Sequence, residues 1–120
     1  MDKKRVVIVD DDQGLADTIS SILSNEGYIT LSFTSCSNFI DQLDAISPDL
    51  IVMDVRLPDG AGDHLARDIK RIPAFRAIPI ILISASENLP QIAQSLDIQA
   101  YLEKPFDFDK FLKTVNFCLT

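Results

Sequence analysis

The stretch Asp-Leu-Ile-Val-Met-Asp-Val-Arg-Leu-Pro-Asp, residues 49–59, decides the fold of this chain. An apolar run ends in a single carboxylate, Asp54, and a turn follows. A strand that is buried on both faces of a sheet reads as such an unbroken run, and an ionisable group at its end lies where the sheet opens to water. The stretch therefore predicts a central strand and makes Asp54 the first candidate for chemistry. The alternative is that Asp54 only caps the turn.

Four further segments have the composition of strands, and helical patterns separate them. The predicted strands cover residues 5–9, 28–33, 78–83 and 99–103. The first helix follows Asp12, a plausible N-cap, and its apolar residues Leu15, Ile19, Ile22 and Leu23 have helical spacing. Strong breakers, Pro58, Gly60 and Gly62, lie in the loop after the central strand.

The remaining helices are predicted from the same periodicity. The second begins at about Ser35 and is expected to bury Phe39, Ile40 and Leu43; the third carries Leu65, Ile69 and Ile72 and is closed by Pro73. The fourth is expected to begin near residue 89 because Pro90 fits only a first turn. The last follows Asp107 and is expected to bury Phe108, Phe111 or Leu112, Val115 and Leu119, with Phe117 off that stripe.

Strict alternation of five strands and five helices predicts a doubly wound α/β fold. The sheet is open and parallel, both of its faces are covered by helices, and the crossovers are right-handed. The 120 residues fit one domain, 1–120. In such sheets functional residues collect at the carboxyl ends of the strands.

Charge and cysteine content restrict the function further. The net charge of −7 argues against a nucleic-acid-binding surface, which needs clustered lysine and arginine. The two cysteines, Cys36 and Cys118, lack metal-site spacing and indicate buried or partly buried thiols in a reducing, cytoplasmic compartment. The apolar run Val6 to Val9 is too short for a signal peptide or a membrane span.

Polar residues leave four predicted strands at one edge of the sheet. They are Asp10 to Asp12, Asp54, Ser84 and Lys104. Two carboxylates about 5 Å apart repel by roughly 3 kcal/mol at an effective dielectric near 20, so the cluster should attract a cation. An all-oxygen set with room for waters and a phosphate favours Mg²⁺ over Ca²⁺. The alternative for the three aspartates is an acidic first turn favoured by the helix dipole.

Four ordered motifs resemble the receiver domain of two-component response regulators. They are Val-Val-Ile-Val-Asp-Asp-Asp, Leu-Ile-Val-Met-Asp-Val-Arg-Leu-Pro-Asp-Gly-Ala-Gly, Ile-Ile-Leu-Ile-Ser-Ala and Tyr-Leu-Glu-Lys-Pro-Phe. The resemblance covers essentially the whole chain. It implies a flavodoxin-like (βα)5 fold with strand order 2-1-3-4-5, similar to that of the single-domain chemotaxis-type regulators.

The resemblance also implies a site. Asp54 would accept a phosphoryl group from a phosphohistidine on a histidine kinase or a histidine phosphotransfer protein. Asp11 would bind Mg²⁺ directly and Asp10 through water, and an Asp54 oxygen and the backbone carbonyl of Arg56 would complete the protein ligands. The chain would be a signalling phosphoacceptor and not an enzyme, with slow self-phosphorylation from small phosphodonors and slow loss of the phosphoryl group.

Further residues are implied to bind the phosphoryl group and to respond to it. Ser84 and Lys104 would contact phosphoryl oxygens, with Ala85 beside Ser84. Tyr101 occupies the aromatic position that turns inward on activation, and the Lys104-Pro105 peptide bond is expected to be cis. Output would pass to an attached domain or a partner protein through the face made by the fourth helix, fifth strand and last helix. A homodimer is also compatible with the family, whereas no direct contact with nucleic acid or membrane is expected.

The chain departs from the family pattern near the fourth helix. The stretch from Ser84 to Tyr101 is about two residues shorter than usual, and Asp97-Ile98 replaces a typical Gly-Ala. Glycine at that point supplies a left-handed helix end that aspartate tolerates less well. Leu89 and Phe117 are expected at the margin of the core or on a partner surface, and His64 on the surface.

Two rival functions fit parts of the pattern. A haloacid-dehalogenase-like phosphohydrolase would use Asp10 as its nucleophile in Asp-x-Asp spacing, but it would leave Asp54 without a role. A receiver fold used only for protein docking would need no phosphorylation. The accumulated like charges argue against docking alone, because such charges are costly without a function.

Overall fold

The computed structural model describes residues 3–57, 60–85 and 87–120, so the predicted turn residue Pro58 lies outside the described part. The strands are β1 (Arg5–Val9), β2 (Ile29–Phe33), β3 (Leu50–Asp54), β4 (Arg56–Leu57), β5 (Gly60–Ala61), β6 (Ile80–Ser84) and β7 (Ala100–Glu103). The helices are α1 (Gln13–Asn25), α2 (Cys36–Ile40), α3 (Leu43–Ile46), α4 (Gly62–Arg71), α5 (Leu89–Ser95) and α6 (Phe108–Leu119).

Five parallel strands form the main sheet in the order β2-β1-β3-β6-β7. Counting only these five strands, the order is 2-1-3-4-5, so the predicted α/β fold is confirmed. The short strands β4 and β5 pair antiparallel in the loop after β3. The site loops of β1, β3 and β6 therefore emerge side by side at one edge of the sheet.

The unbroken apolar strands separate two hydrophobic layers. Alternate side chains point to opposite faces, so Val7, Ile51 and Leu82 pack on one face and Val6, Val52 and Ile81 on the other. Helices α2 to α5 cover the first face, and α1 and α6 cover the second. Burial on both faces explains why these strands read as continuous rather than alternating apolar runs.

Two helix starts follow the capping chemistry that the sequence predicts. The Asp12 carboxylate accepts a hydrogen bond from the Leu15 backbone N–H at 3.1 Å, and the Asp107 carboxylate accepts one from the Asp109 N–H at 2.8 Å. Each cap satisfies a backbone donor that has no partner inside its helix. The predicted starts of α1 and α6 are therefore confirmed.

Several predictions of side-chain burial are wrong. The second helix is divided into α2 and α3 because the Gln42 N–H bonds to the Phe39 carbonyl, three residues back, which tightens the turn. Ile40 and Phe108, which are predicted to be buried, are exposed, and Phe108 lies in the first turn of α6. Ile72, predicted as part of the third helix, lies beyond the end of α4. Leu89, in contrast, is fully buried at the start of α5.

Other surface predictions are confirmed. Phe117 is 78% exposed, His64 is exposed, and both cysteines are free and partly buried. No helix of the described residues has the length and apolar composition to cross a membrane.

The turn between α5 and β7 adopts a left-handed conformation, which glycine favours, although Asp97 occupies this position. Asp97 has φ 57°, in the left-handed region, and α5 ends at Ser95 after only seven residues. The Lys70 ammonium donates a hydrogen bond to the Asp97 carbonyl at 2.8 Å. This contact ties the end of α4 to the turn and helps to hold the strained residue in place.

Replacing Asp97 by glycine should stabilise the fold. The left-handed conformation costs an L residue about 1–2 kcal/mol, part of which is offset by the greater freedom of glycine in the unfolded chain. We expect Asp97→Gly to raise the free energy of unfolding by about 0.5–1 kcal/mol in urea denaturation. Asp97→Ala, which keeps the β-carbon, is the matched control and should give no gain. Equal stabilisation by both variants would show that the Asp97 carboxylate, rather than the left-handed backbone of this residue, lowers the free energy of unfolding.

Candidate functional site at the carboxyl edge of the sheet

Asp10 enters the site directly from the end of β1. Its backbone N–H donates to the Phe33 carbonyl at 3.0 Å, which continues the register between β1 and β2. Its side chain is completely buried, and Oδ1 accepts the Asp12 backbone N–H at 2.9 Å. The turn that opens α1 therefore also fixes the direction of the Asp10 carboxylate.

Asp54 is the last residue of β3, and only 6% of it is exposed. It lies opposite Ile83 of β6 in the sheet. Its Oδ1 accepts the Arg56 backbone N–H at 2.9 Å, which is the local turn geometry typical of aspartate. The capping role predicted as an alternative is therefore real, but it uses only one of the two carboxylate oxygens.

Lys104 connects the two buried carboxylates. Its backbone N–H donates to the Ser84 carbonyl at 2.8 Å, and its peptide bond to Pro105 is cis, as predicted. The ammonium Nζ lies 2.9 Å from Asp10 Oδ2 and 2.7 Å from Asp54 Oδ2, with one fifth of the side chain exposed. These are short, charge-assisted hydrogen bonds, and they bring the ends of β1, β3 and β7 together around one cation.

The electrostatics follow from burial and from these contacts. Burial raises the pKa of Asp10 above its ordinary value of 3.8, although the Asp12 N–H and Lys104 oppose this effect. Burial alone would lower the pKa of Lys104, but its hydrogen bonds and charge attraction to Asp54 and Asp10 outweigh burial and raise that pKa. The lysine is therefore held firmly in its charged form.

Three carboxylates form a group suited to a divalent cation. One oxygen from each of Asp10, Asp11 and Asp54 lies within 4.8 Å of the others, and Asp11 is exposed while the other two are buried. Hard carboxylate oxygens open to solvent on one side fit Mg²⁺, which keeps several waters. Arg56 adjoins the group through its backbone N–H.

The other predicted site residues lie at different depths. Ser84 ends β6 and is 1% exposed, whereas the next residue, Ala85, is exposed. Tyr101 lies on β7 opposite Leu82 and is 39% exposed. The structure thus brings Asp10, Asp11, Asp54 and Lys104 together directly and places Ser84 beside them through the backbone of Lys104.

Sequence reasoning missed two features of this site. The sequence predicts Asp12 as a helix cap and as part of the polar edge of the sheet, but it does not predict that the Asp12 N–H orients Asp10. Lys104 was expected to meet a phosphoryl oxygen, and its bridge between two aspartates was not anticipated. Three consecutive aspartates offered the only signal, and sequence alone does not say which carboxylate turns inward.

Comparison with known proteins identifies the family of this chain. The family model of the response regulator receiver domain matches residues 6–116. The chain is 33% identical to the regulatory protein VanRc of Enterococcus gallinarum, covering 87% of this chain and 45% of that protein. It is 29% identical to the DNA-binding transcriptional regulator NtrC of Proteus hauseri, covering 100% of this chain and 25% of that protein. The chain thus spans less than half the length of these two relatives.

Solved structures of a response regulator and of a receiver domain share the fold of this chain. A putative response regulator from Chloroflexus aurantiacus superposes with a TM-score of 0.91 at 25% identity, covering 98% of both chains. The non-phosphorylated HemR receiver domain of Leptospira biflexa superposes with a TM-score of 0.88 at 27% identity, covering 98% of this chain and 95% of that one.

The fold and the acidic edge define a doubly wound α/β domain with a carboxylate cluster at the carboxyl ends of its strands. The chain belongs to the family of response regulator receiver domains of two-component signalling. Members of this family are phosphoacceptor signalling domains rather than classical enzymes.

Removing the buried charge of Asp10 should stabilise the magnesium-free protein. Asparagine can still accept the Asp12 N–H, and Lys104 keeps its contact with Asp54. We expect Asp10→Asn to raise Tm in EDTA at pH 7 by about 3 °C, or ~1 kcal/mol. The raised pKa means that the folded state binds this proton more tightly, so the charged carboxylate costs stability above pH 3.8.

The rise in Tm caused by Asp10→Asn should therefore shrink as the pH falls toward 4, where Asp10 is increasingly protonated in the folded wild type. Asp68→Asn removes an equal charge from an exposed position of α4 and is the matched control. A lower Tm for Asp10→Asn than for this control would show that the Lys104 contact more than offsets the cost of burying Asp10.

Proposed function

We propose that Asp54 is the phosphoacceptor, and that it receives a phosphoryl group from a phosphohistidine on a histidine kinase or a histidine phosphotransfer protein. One Asp54 oxygen attacks phosphorus while the P–N bond breaks and its electron pair returns to the imidazole nitrogen. The observation that carries the proposal is the convergence of Asp10, Asp11 and Lys104 around Asp54. Positive charge is what such a transfer requires, because two anions must meet.

The metal of the proposed site is Mg²⁺, held by Asp11 directly, by Asp10 through water, and by an Asp54 oxygen and the Arg56 carbonyl. When bound, it supplies positive charge to the oxygens of the transferred group. The chain's own residues do the remaining work. The Asp12 and Arg56 backbone N–H groups orient the two buried carboxylates, and Lys104 transfers its hydrogen bond from Asp54 to a phosphoryl oxygen.

The product would change the surface beside the site. Ser84 donates its hydroxyl to a second phosphoryl oxygen, with the exposed residue Ala85 next to it. A movement of Ser84 opens space for Tyr101, which lies two-fifths exposed on β7, to turn inward. The signal then passes through α5, β7 and α6 to an attached output domain, a separate partner or a second copy of the chain. A cytoplasmic location, where such kinases present their phosphohistidine, completes the proposal.

Magnesium should stabilise the protein through Asp11. Binding to the folded state adds RT ln(1 + [L]/Kd), or about 2.7 kcal/mol at a hundredfold excess over Kd. We expect Mg²⁺ to raise Tm relative to NaCl of equal ionic strength, and Asp11→Ala to abolish most of that rise. Asp68→Ala, an exposed acid far along the chain, should keep it. An unchanged response in Asp11→Ala would place the ion elsewhere.

Phosphorylation should depend on Asp54. After incubation with acetyl phosphate and Mg²⁺, intact mass spectrometry should show one added phosphoryl group in the wild type and in Asp68→Asn. Asp54→Asn should show none, and Lys104→Met should acquire it more slowly because it lacks the ammonium that neutralises the incoming charge. If the wild type acquires no phosphoryl group, the result would favour a receiver fold that serves only for protein docking.

A further inference from the structure

The outer edge of β2 has no neighbouring strand among residues 3–57, 60–85 and 87–120. β2 is the first strand in the order β2-β1-β3-β6-β7, so it forms the edge of the sheet opposite to β7. Natural edge strands are often protected from further pairing by charged side chains, proline or a bulge. The β2 sequence, Ile-Thr-Leu-Ser-Phe, contains neither a charged residue nor a proline. This edge is therefore chemically suited to pair with another strand.

The pairing of β2 with β1 determines which backbone groups remain at the outer edge. The Ile29 N–H donates to the Lys4 carbonyl at 2.9 Å, so Ile29 directs its backbone groups toward β1. In a parallel ladder, alternate residues direct their N–H and C=O groups to opposite sides of the strand. Residues 31 and 33 therefore also face β1, whereas Thr30 and Ser32 present two donors and two acceptors at the outer edge.

The backbone of β2 is complementary to itself in one antiparallel register. When Leu31 lies opposite Leu31 of a second copy, Thr30 of each copy lies opposite Ser32 of the other. Two residues that are opposed in this way exchange both of their N–H···O bonds. The pair occurs twice because a two-fold axis relates the copies, so all the donors and acceptors that Thr30 and Ser32 present are satisfied.

The side chains of β2 match in the same register. Ile29, Leu31 and Phe33 share one face of the strand, and Leu31 and Phe33 lie at the margin of the hydrophobic layer beneath α2 to α5. Ile29 is 41% exposed, and the register places it opposite Phe33 of the second copy. A branched aliphatic residue opposite an aromatic one is a favourable cross-strand pair. The other face places the Thr30 hydroxyl opposite that of Ser32, so apolar meets apolar and polar meets polar.

The two ends of this edge carry opposite charge. Residues 3–5, two lysines and an arginine, are exposed and line a cavity beside Ile29 at the amino end of β2. The acidic residue in that lining, Asp49, accepts the backbone N–H of the arginine, and none of the three cations forms a salt bridge with another described residue. At the carboxyl end, the exposed residues Asp11 and Asp12 follow β1. Antiparallel pairing therefore brings the positive end of each copy toward the negative end of the other.

We propose that β2 pairs antiparallel with β2 of a second copy of this chain and forms a symmetric dimer with one continuous ten-stranded sheet. Backbone complementarity, side-chain pairing and the opposite charges of the two ends all select a second copy as the occupant of this edge. The dimer goes beyond the phosphoacceptor function and does not depend on it. β2 and β7 lie at opposite edges of the sheet, so the dimer leaves the face of α5, β7 and α6 free.

Sedimentation velocity of the whole chain between about 10 µM and 1 mM tests for this dimer. The wild type should show a monomer–dimer equilibrium with a Kd below about 1 mM. Thr30→Pro removes an outward N–H and leaves the ladder to β1 intact, so it should raise the Kd at least about tenfold. Thr30→Val keeps that N–H and the branched side chain, and it should keep the Kd within about threefold. A monomeric wild type, or an undiminished dimer in Thr30→Pro, would overturn the proposal.

Disulfide trapping tests the register and does not require the proline variant to fold. Leu31→Cys places two thiols at a directly opposed pair whose Cα atoms are about 4.5 Å apart, within reach of a disulfide. Thr30→Cys is the matched control, because the two copies of residue 30 are diagonal neighbours about 7–8 Å apart. After mild oxidation, peptide mass mapping should find the 31–31 disulfide in most of the Leu31→Cys protein and little 30–30 disulfide in the control. Equal cross-linking of the two variants would overturn the proposed pairing.

Charge reversal tests the contribution of the two ends. Lys3→Glu/Lys4→Glu makes the amino end acidic, so it should repel the exposed aspartates of the second copy and raise the Kd at least about threefold. Lys110→Glu/Lys113→Glu reverses two exposed charges on α6, gives the same net charge and should leave the Kd within about twofold. Equal weakening by the two double variants would show that overall charge, rather than the ends of β2, controls association, and it would overturn the proposal.

Discussion

The contact of the Lys104 ammonium with two buried carboxylates is the interaction on which the site depends. Asp10 and Asp54 are almost completely removed from water, and two like charges at such a position are costly unless an opposite charge lies between them. Lys104 supplies that charge at 2.9 and 2.7 Å. It does so from the end of an edge strand, so the position of β7 in the sheet sets the geometry of the whole acidic edge.

Under the proposed function, the same arrangement allows the site to change state. Lys104 binds the carboxylates through a flexible side chain, whereas the Asp12 and Arg56 backbone N–H groups hold them from rigid turns. A new anion at Asp54 can therefore draw the ammonium away without disturbing the direction of either carboxylate. The backbone bond from Lys104 to Ser84 keeps the hydroxyl-bearing strand end next to the same point. A sheet edge of this kind combines carboxylates held by backbone N–H groups with a cation carried on a long side chain.

Much of this architecture could be predicted from sequence because its signals are local. Apolar runs such as Ile80 to Ile83 are typical of strands buried on both faces, and Asp12 and Asp107 mark helix starts through capping chemistry. The break between α2 and α3 was not predictable, because it depends on one tightened turn at Gln42. The burial of Leu89 and the bridge made by Lys104 depend on tertiary contacts that no periodicity encodes.

Locating the transferred phosphoryl group on the chain tests the central claim most directly. Borohydride reduces an aspartyl phosphate, and peptide mass mapping then identifies the modified residue. The account predicts that protein treated with a phosphodonor and Mg²⁺ is reduced at Asp54, because that carboxylate contacts the Lys104 ammonium and remains 6% exposed, whereas Asp10, which contacts the same ammonium, is completely buried. Reduction at Asp10 would contradict the account and favour a hydrolase that uses the first strand for its nucleophile.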